Sequence, residues 1–361
     1  MYYMILLYIA VLISLFVYSY ALVDPNLTLI NNQIWVGFRD TMVQFGYYQR
    51  QDSWHVYVAL IVALFAFHFL FVKNFKKYNP LLLGGIIGAI LLMAYPLLSH
   101  DLFNYIFDAK IFTFYKENPY THMPSDYEPD EWLRFMQWTH RTYPYGPTYL
   151  IFSYIPSFLG FGKFILNFFF FKLASVLSYI AGIYFISKFD KKAAIVFATH
   201  PLVLIEGLVS AHNDLIGVSF AIAGMYYVSK DNNILGRILL LFSGGIKYLT
   251  APLILFQKKN KLINLLIFLV AVSLVLYLSI MKDLQSWYFL TLFAFLPLYK
   301  NLVSFLQILF IGLLLSYYPY ITTGFWYHDP KVYIVLTAAV LNVVYLIFKR
   351  KEFIQEFLPS K

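Results

Sequence analysis

Long apolar runs restrict the fold of this chain more than any other feature of its sequence. A helix needs about 17 to 25 mostly apolar residues to cross the hydrocarbon core of a bilayer. Runs near this length recur along the whole chain, at 1–23, 55–72, 80–98, 164–187, 193–209, 214–229, 234–256, 262–280, 287–298, 302–321 and 332–348. No soluble domain of useful size remains between them. We therefore predict an all-α, polytopic integral membrane protein.

Composition and charge agree with a membrane protein. Apolar residues make up 61% of the chain and charged residues only 12%, about half the charged share of a soluble domain. The net charge of +9 comes from short basic clusters between apolar runs, which indicates membrane orientation rather than nucleic-acid binding. The chain has no cysteine, which excludes disulfides, metal–thiolate sites and thiol catalysis.

The distribution of Lys and Arg predicts the orientation, because basic residues in short loops stay in the cytoplasm. The model keeps 148–163 at the outer surface and folds 234–256 back at Gly244-Gly245 as a re-entrant pair of half-helices. Fifteen of the 27 basic residues then lie in short inner segments. These are Lys73, Lys76, Lys77, Lys188, Lys191, Lys192, Lys230, Lys258, Lys259, Lys261, Lys300, Lys349, Arg350, Lys351 and Lys361. We predict about ten crossings, both termini in the cytoplasm, and a plasma-membrane protein whose outer face carries the polar chemistry.

The outer segment 99–163 contains the most polar and aromatic residues. Apolar residues at spacings of one, three and four between Leu102 and Ile111 predict an amphipathic helix lying at the membrane surface. Asp101, Tyr105 and Asp108, at i, i+4 and i+7, share its other face. Two carboxylates on one face are suited to general acid/base catalysis on a polar substrate. The alternative is a solvated face, with Asp101 capping the first turn.

An aromatic turn ends the same segment. His140-Arg141 precedes the rigid turn Tyr143-Pro144-Tyr145-Gly146-Pro147. This turn is expected to hold the His140 imidazole and the Arg141 guanidinium at the depth of the lipid headgroups. Arginine binds phosphate in a bidentate manner, so a lipid phosphate is a candidate ligand. The alternative is ordinary headgroup anchoring by an aromatic belt.

Polar residues within the apolar runs are further candidates, because ionisable groups in a membrane usually line a cavity or a pathway. Glu206 precedes His212-Asn213-Asp214, which opens a helix, and Lys247 follows Gly244-Gly245 at the proposed fold-back. A structural role is the alternative to a functional one for these residues. Asn213 or Asp214 would then be a helix N-cap, and Lys247 would extend its ammonium to the membrane interface.

These motifs, in this order, resemble the polytopic mannosyltransferase-type members of the GT-C glycosyltransferase superfamily. The resemblance covers roughly residues 90–255 and rests on short motifs: Ser99-His100-Asp101 with Tyr105 and Asp108, Asn118-Pro119-Tyr120, Tyr143-Pro144-Tyr145-Gly146-Pro147, His200-Pro201-Leu202, His212-Asn213-Asp214 and Lys247. It implies an all-α membrane enzyme that takes a sugar from a polyprenyl phosphate on the outer or lumenal face.

The resemblance also suggests how the chain is divided. In many members the key aspartate follows the first span, whereas Asp101 follows the third. We interpret 1–361 as one polytopic domain in three parts: an additional N-terminal hairpin (1–79), a catalytic module with the large outer segment (80–260) and C-terminal helices (261–361).

The residues indicate the same chemistry. The chain has no glycine-rich nucleotide cradle, so an outer-face transferase needs a membrane-borne donor. Transfer requires a base on the acceptor hydroxyl and a cation near the departing phosphate. We predict Asp101 as the base, Asp108 or Asp214 to orient the acceptor, and Arg141, His140 or Lys247 on the phosphate. The other candidate substrate-binding residues are Tyr105, Tyr145, Glu206, His212 and Asn213.

The expected partners are a polyprenyl-phosphate sugar, a glycan or glycolipid acceptor and the bilayer, and we expect no nucleic acid. Direct displacement of the phosphate by the acceptor hydroxyl, assisted by one base, inverts the anomeric centre. Retention of configuration needs a second carboxylate about 5 Å from the first, placed as a nucleophile. We expect no cofactor, although paired aspartates could hold Mg²⁺ or Mn²⁺ weakly. The alternatives are a transporter or flippase of lipid-linked sugars, and a glycan ligase or polymerase.

Overall fold

The computed structural model describes residues 2–357, which form helices and no β-strand. Lys361, predicted in the last basic cluster, lies outside the described residues. The α-helices are α1 Tyr2–Tyr18, α2 Gln33–Val43, α3 Arg50–Lys73, α4 Pro80–Leu91, α5 Asp101–Thr113, α6 Pro147–Leu159, α7 Phe164–Ser187, α8 Lys191–Thr199, α9 Asp214–Ser229, α10 Asn233–Ile246, α11 Lys261–Met281, α12 Gln307–Leu315, α13 Tyr318–Thr323, α14 His328–Phe348 and α15 Arg350–Phe357.

Shorter helical segments connect these helices. The 3₁₀ segments are Phe75–Lys77, Pro124–Tyr127, Glu131–Phe135, Tyr248–Leu255, Ser286–Phe295 and Val303–Phe305, and the π-helical segments are Gln44–Tyr48 and Val203–Val209. The chain is thus an all-α polytopic membrane protein, as predicted.

Four helices of the described chain, α3, α7, α11 and α14, are long and apolar enough to cross a membrane. A fifth candidate is α8 together with Val203–Val209, a pair bent by 63°. The bend falls at Pro201, whose ring cannot donate the helical hydrogen bond. Lys172, buried in α7, donates to the carbonyls of Leu208 and Val209 at the end of the bent pair. By helix length the structure thus supports four or five spans, and the count of ten stays a prediction.

The segments predicted to lie inside meet one another at one end of the molecule, which we call the basic end. The Lys191 ammonium donates to the carbonyl of Lys76 at 3.0 Å, and Lys258 pairs with Asp231 at 2.7 Å. Lys192 donates to the Asn301 side chain at 3.3 Å.

The segments predicted to lie outside meet at the other end, which we call the site end. Arg134 pairs with Asp24 at 2.9 Å, and Arg50 donates to the carbonyl of Ile321 at 3.1 Å. Helix α3 joins the two ends, since it begins at Arg50 and ends at Lys73. The tertiary contacts therefore divide the connecting segments into two groups. These are the same inner and outer groups that the distribution of Lys and Arg predicted.

Helices α9 and α10 form a close antiparallel pair, and the chain folds back after it. Gly224 and Gly236 let the two backbones approach, since a Cβ on either would lie 2.9 Å from the carbonyl oxygen of the other. After α10 the segment Tyr248–Leu255 returns along α10, with the Ser243 and Thr250 hydroxyls 2.6 Å apart. The predicted fold-back is present, and it turns at Lys247 rather than at Gly244-Gly245.

Candidate active site

The helix that carries Asp101 is buried inside the protein. Helix α5 begins at Asp101, and every residue from Leu102 to Ile111 is buried. Tyr105 and Asp108, predicted on a solvated face, are 2% and 4% exposed. The prediction of an amphipathic interfacial helix is therefore wrong, because α6, α7 and the 3₁₀ turns of the outer segment pack around α5.

Asp101 presents its carboxylate to a cavity. Its backbone N–H donates to the Ser99 hydroxyl at 3.2 Å, so the Ser99 side chain satisfies a free amide at the helix start. The carboxylate of Asp101 is not used as a cap. It lies 3.6 Å from Nδ1 of His212, and its side chain is 15% exposed. The start of a helix favours a negative charge, which suits Asp101 to act as a carboxylate base.

His212 lies between two carboxylates. Its Nε2 is 3.4 Å from Oε2 of Glu206 and its Nδ1 is 3.6 Å from Oδ2 of Asp101. The Tyr317 hydroxyl donates to the other oxygen of Glu206 at 2.8 Å, and the Trp287 ring stacks on the imidazole with centroids 4.0 Å apart. Glu206 and His212 are fully buried. The two flanking carboxylates and the Trp287 ring therefore fix the position of the imidazole.

A strained turn places the tripeptide that begins with His212. Ala211 has a φ of 55°, in the left-handed region that residues with a Cβ rarely adopt. Asn213 is fully buried and makes no N-cap hydrogen bond through its side chain. Its amide oxygen and nitrogen have no partner in the structure. Asn213 therefore occupies the N-cap position of α9, as the alternative interpretation had it, but its side chain does not cap the helix.

Asp214 and Lys247 form a buried ion pair. The Lys247 ammonium lies 2.8 Å from Oδ2 of Asp214, and the side chains are 6% and 1% exposed. Lys247 comes at the end of α10 and Asp214 at the start of α9, so the antiparallel pair brings them together. Gly217 makes room, since a Cβ there would lie 3.2 Å from Cβ of Lys247. Lys247 therefore does not snorkel into solvent.

Tyrosine rings fill the space between these charged groups. The Tyr145 ring lies edge-on to that of Tyr105, with centroids 5.9 Å apart, and 5.8 Å from the Lys247 ammonium. Burial raises the pKa of Tyr145, and the Asp101 carboxylate adds to the rise, whereas Tyr105 and Arg141 oppose it. Tyr145 therefore lies within electrostatic range of both ends of the site.

Arg141 lies beside this cluster, and His140 lies outside it. The Arg141 guanidinium stacks over the Trp138 ring at 4.9 Å and belongs to the surroundings of Asp108. Burial raises the pKa of Asp108 to about 7, an effect that Arg141 opposes and Asp101 increases. His140 is exposed and contacts only the edge of Trp138 among the aromatic rings.

A cavity of about 300 Å³, which we call the aromatic cavity, opens beside Asp101. Its lining comes from four parts of the chain: Leu98, Ser99, His100 and Asp101; Gln137 and Trp138; Asp283, Gln285 and Trp287; Tyr320 and Trp326. Asp101 is the one predicted site residue on this wall. Asp108 and Asp214, predicted to orient the acceptor, are not part of the lining.

The structure thus brings together most of the predicted residues, but not all in the predicted roles. Asp101, Tyr105, Tyr145, Glu206, His212, Asn213, Asp214 and Lys247 surround one region, with Arg141 and Asp108 beside it. Within residues 2–357 no group of three His, Asp or Glu side chains has the arrangement of a metal site. The predicted paired aspartates are not a pair, since α5 separates Asp101 and Asp108 by about 10 Å along its axis.

The C-terminal contributions to the site were not predicted from the sequence. Trp287, Tyr317 and Trp326 come from parts of the chain whose sequence indicates only membrane helices or their connections. The available signal was Asp283-Leu284-Gln285-Ser286-Trp287, a polar and aromatic stretch between two apolar runs. Its proximity to Asp101 could not be read from a single sequence, because nearly 200 residues separate the two.

A helical membrane protein with a carboxylate at the wall of a cavity and a buried lysine–aspartate pair nearby has the features of a membrane enzyme. Residues 42–258 match the model of the MptA/B family, described as the alpha-(1->6)-mannopyranosyltransferase N-terminal domain. The match spans more than half of the chain, and the protein belongs to this family of mannosyltransferases. No curated protein and no solved structure matches the chain.

Family membership supports the GT-C resemblance and establishes mannosyl transfer between a sugar donor and a glycan acceptor. It favours the transferase over the transporter and over the ligase or polymerase. The matched region includes most of the predicted catalytic module and part of the predicted N-terminal hairpin. The division into three parts stays a prediction.

Proposed function

We propose that the protein transfers mannose from a polyprenyl-phosphate donor to a hydroxyl of a glycan or glycolipid acceptor, with inversion, at the outer face of the plasma membrane. The observation that carries this proposal is the position of Asp101. Its carboxylate borders an open cavity and faces His212, and Tyr145 lies within range of both Asp101 and the Lys247 ammonium.

The proposed step has one base and no enzymic nucleophile. The acceptor oxygen attacks the anomeric carbon and gives its proton to the Asp101 carboxylate. The bond from the anomeric carbon to the phosphate oxygen breaks, and its electron pair stays on the phosphate. His212 lies between the base and Glu206, and Glu206 holds the imidazole next to Asp101. Because His212 lies between Asp101 and Glu206, the two carboxylates are poorly placed for double displacement.

Lys247 is our candidate for the departing phosphate. The Asp214 carboxylate lies 2.8 Å from the Lys247 ammonium and holds it in place by charge, which leaves N–H groups of Lys247 for a ligand. We therefore assign Asp214 a positioning role rather than the predicted contact with the acceptor. Arg141 is a second candidate, since its guanidinium stacks on Trp138 and can turn its N–H edge to a phosphate.

An apolar cavity supports a membrane-borne donor. It measures about 570 Å³ and lies between α6, α7, α9 and α10, with Phe152, Phe170, Phe220 and Leu239 in its wall. Helices α6 and α10 meet at Thr148 and Gly245, where an added Cβ on Gly245 would lie 2.3 Å from the Thr148 hydroxyl. This contact is two residues from Lys247, so the cavity wall and the ammonium are carried by the same helix, α10, and its C-cap residue.

The family description suggests the linkage. An α-(1→6) product implies attack by a primary hydroxyl of the acceptor. If the step inverts, an α product requires a β-linked donor. The outer face follows from the positive-inside rule, since the basic end then lies in the cytoplasm and the site end outside.

The experiment uses membranes that contain the full chain, a radiolabelled polyprenyl-phosphate mannose and a mannoside acceptor. The wild type is expected to consume the β-linked donor, to leave the α-linked donor unused and to remain active in EDTA, since we assign no metal to the step. Asp101→Asn keeps size but cannot accept the proton, so we expect turnover to fall by about two to four orders of magnitude.

Asp52→Asn is the matched control, because Asp52 is an exposed acid at the site end. Near-normal activity of a well-inserted Asp101→Asn protein would remove Asp101 from the role of base. Consumption of a nucleotide sugar instead of the lipid donor would contradict the proposed donor.

A further inference from the structure

The aromatic cavity has walls suited to a sugar. Trp138 and Trp326 are 40% and 44% exposed, although large aromatic side chains usually gain from burial. Trp326 is held rigidly, because it stacks face to face on Tyr320 with ring centroids 4.1 Å apart and planes 13° apart. Trp287 is fixed by its stacking on His212. Preorganised rings of this kind present their electron-rich faces to the C–H groups of a pyranose.

The same cavity has a fixed polar edge. The Gln285 amide nitrogen donates to the Asp283 carboxylate at 2.5 Å, and the buried Lys331 ammonium donates to the Gln285 amide oxygen at 3.0 Å. Lys331 also lies 3.7 Å from Asp283. The remaining carboxylate and amide positions can accept from and donate to hydroxyl groups. A wall of rings with one carboxylate and one amide is typical of recognition of a saccharide.

Charge assigns the cavity to a neutral ligand. The ionisable groups in its lining are Asp101, Asp283 and His100. Burial lowers the pKa of His100, which favours its neutral form. Lys331 offsets the charge of Asp283, and among the described residues neither a lysine nor an arginine belongs to the lining, so no cation of the wall is placed to bind a phosphate. The Lys247 ammonium is not part of this wall. The donor phosphate and the contents of this cavity are expected to be different molecules.

From these observations we infer that the aromatic cavity binds the terminal one or two sugars of the acceptor glycan, as an uncharged saccharide, with the reacting hydroxyl toward Asp101. The volume of about 300 Å³ lies at the small end of ligand sites, which suits a chain end rather than a long glycan. The inference rests on the proposed function for the reaction, but the binding it describes needs no donor.

Part of this subsite lies outside the matched family region. Asp283, Gln285, Trp287, Tyr320 and Trp326 all come after residue 258, whereas the rest of the lining, including Asp101 and Trp138, lies within residues 42–258. The C-terminal third of the chain therefore completes the acceptor subsite, and the transfer chemistry is carried by the matched part.

The test measures saccharide binding and turnover separately. Purified full-length protein in nanodiscs is titrated with methyl α-mannoside and with α-1,6-mannobiose, without donor, while tryptophan fluorescence is recorded. We expect saturable binding that Trp326→Ala weakens about tenfold or more and that Trp326→Tyr largely restores. Asp283→Asn provides a second variant that keeps the shape of the wall. Phe325→Ala is the matched control, since Phe325 is 63% exposed next to Trp326 and does not line the cavity.

In turnover assays, Trp326→Ala and Asp283→Asn should raise the KM for the acceptor about tenfold and change the KM for the donor less than twofold. A rise confined to the donor KM would overturn the inference, because the cavity would then hold the donor. Binding of the mannosides that is equal in wild type, Trp326→Ala and Asp283→Asn would also overturn it. Mannoside binding that needs Trp326 in a protein that does not use polyprenyl-phosphate mannose would support the subsite and contradict the proposed donor.

Discussion

Asp108 shows how a single buried carboxyl affects stability. Its pKa is about 7 in the folded protein against an ordinary value of 3.8, mainly because burial disfavours the charge. The folded state therefore binds this proton more tightly than the unfolded state does. The stability that Asp108 contributes is greatest below about pH 4 and is lost as the pH rises toward 7.

Replacement of Asp108 by Asn removes this dependence on pH. We expect Asp108→Asn to raise the melting temperature, relative to wild type, more at pH 8 than at pH 5.5, with a difference in the free energy of unfolding of about 2 kcal/mol. Thermal scans of tryptophan fluorescence in detergent measure the melting temperatures of both proteins at the two pH values. Asp52→Asn, at an exposed position, should show no such difference. An equal effect of Asp108→Asn at both pH values would contradict the raised pKa.

Glu206 acts on Asp101 through His212. Glu206→Gln keeps the size of the side chain and its contact with Tyr317 but removes the carboxylate that lies 3.4 Å from Nε2 of His212. We expect kcat to fall roughly tenfold to hundredfold, since the imidazole next to Asp101 is then held less firmly. The KM for the donor should change little. Steady-state kinetics measure both parameters.

Tyr317→Phe gives a graded comparison, because it removes one hydrogen bond to Glu206 and leaves the charge. Its effect on kcat should be smaller. If Glu206→Gln lowers kcat only together with the melting temperature, Glu206 supports the fold of the site and does not act through His212.

At the scale of secondary-structure elements, four helices build the apolar cavity. Ala174 on α7 lines it and is only partly buried, so Ala174→Trp should fill part of the space without disturbing packing elsewhere. We expect the KM for a long-chain polyprenyl donor to rise about tenfold, and less for a donor with a short prenyl chain. Kinetics with donors of two chain lengths measure this.

The matched control is Leu276→Trp on α11, which is 50% exposed and lies outside the cavity. This variant adds an equally large ring to the membrane-facing surface. Equal effects of the two substitutions on donors of both lengths would contradict a prenyl site in the apolar cavity.

For the whole molecule, the testable feature is its orientation in the membrane. The chain has no native cysteine, so single cysteines report position without background. We expect Ser125→Cys at the site end and Asn260→Cys near the basic end to react with an impermeant thiol reagent from opposite sides of sealed vesicles, Ser125→Cys from the outside. Both positions are exposed. Labelling from the same side would contradict the crossing model and the outer location of the site.

The sequence by itself determined the membrane class, the long apolar helices and the order of the site motifs. Periodicity and apolar length are local properties, so α7, α9 and α11 begin and end within a residue or so of the apolar runs. The unusual residues were also visible locally, because a charge in an apolar run is costly, and Glu206, Asp214 and Lys247 could be chosen on that basis.

Only the tertiary structure decided which groups meet and which surfaces are buried. Helix α5 has an apolar stripe in its sequence, yet it is buried on all sides because other segments pack on its polar face. Trp287 and Trp326 reach Asp101 through the packing of helices far apart in the chain, and that packing depends on close contacts such as Gly224 on Gly236. A single sequence gives the apolar length of each helix but not its neighbours, and the neighbours make the aromatic cavity.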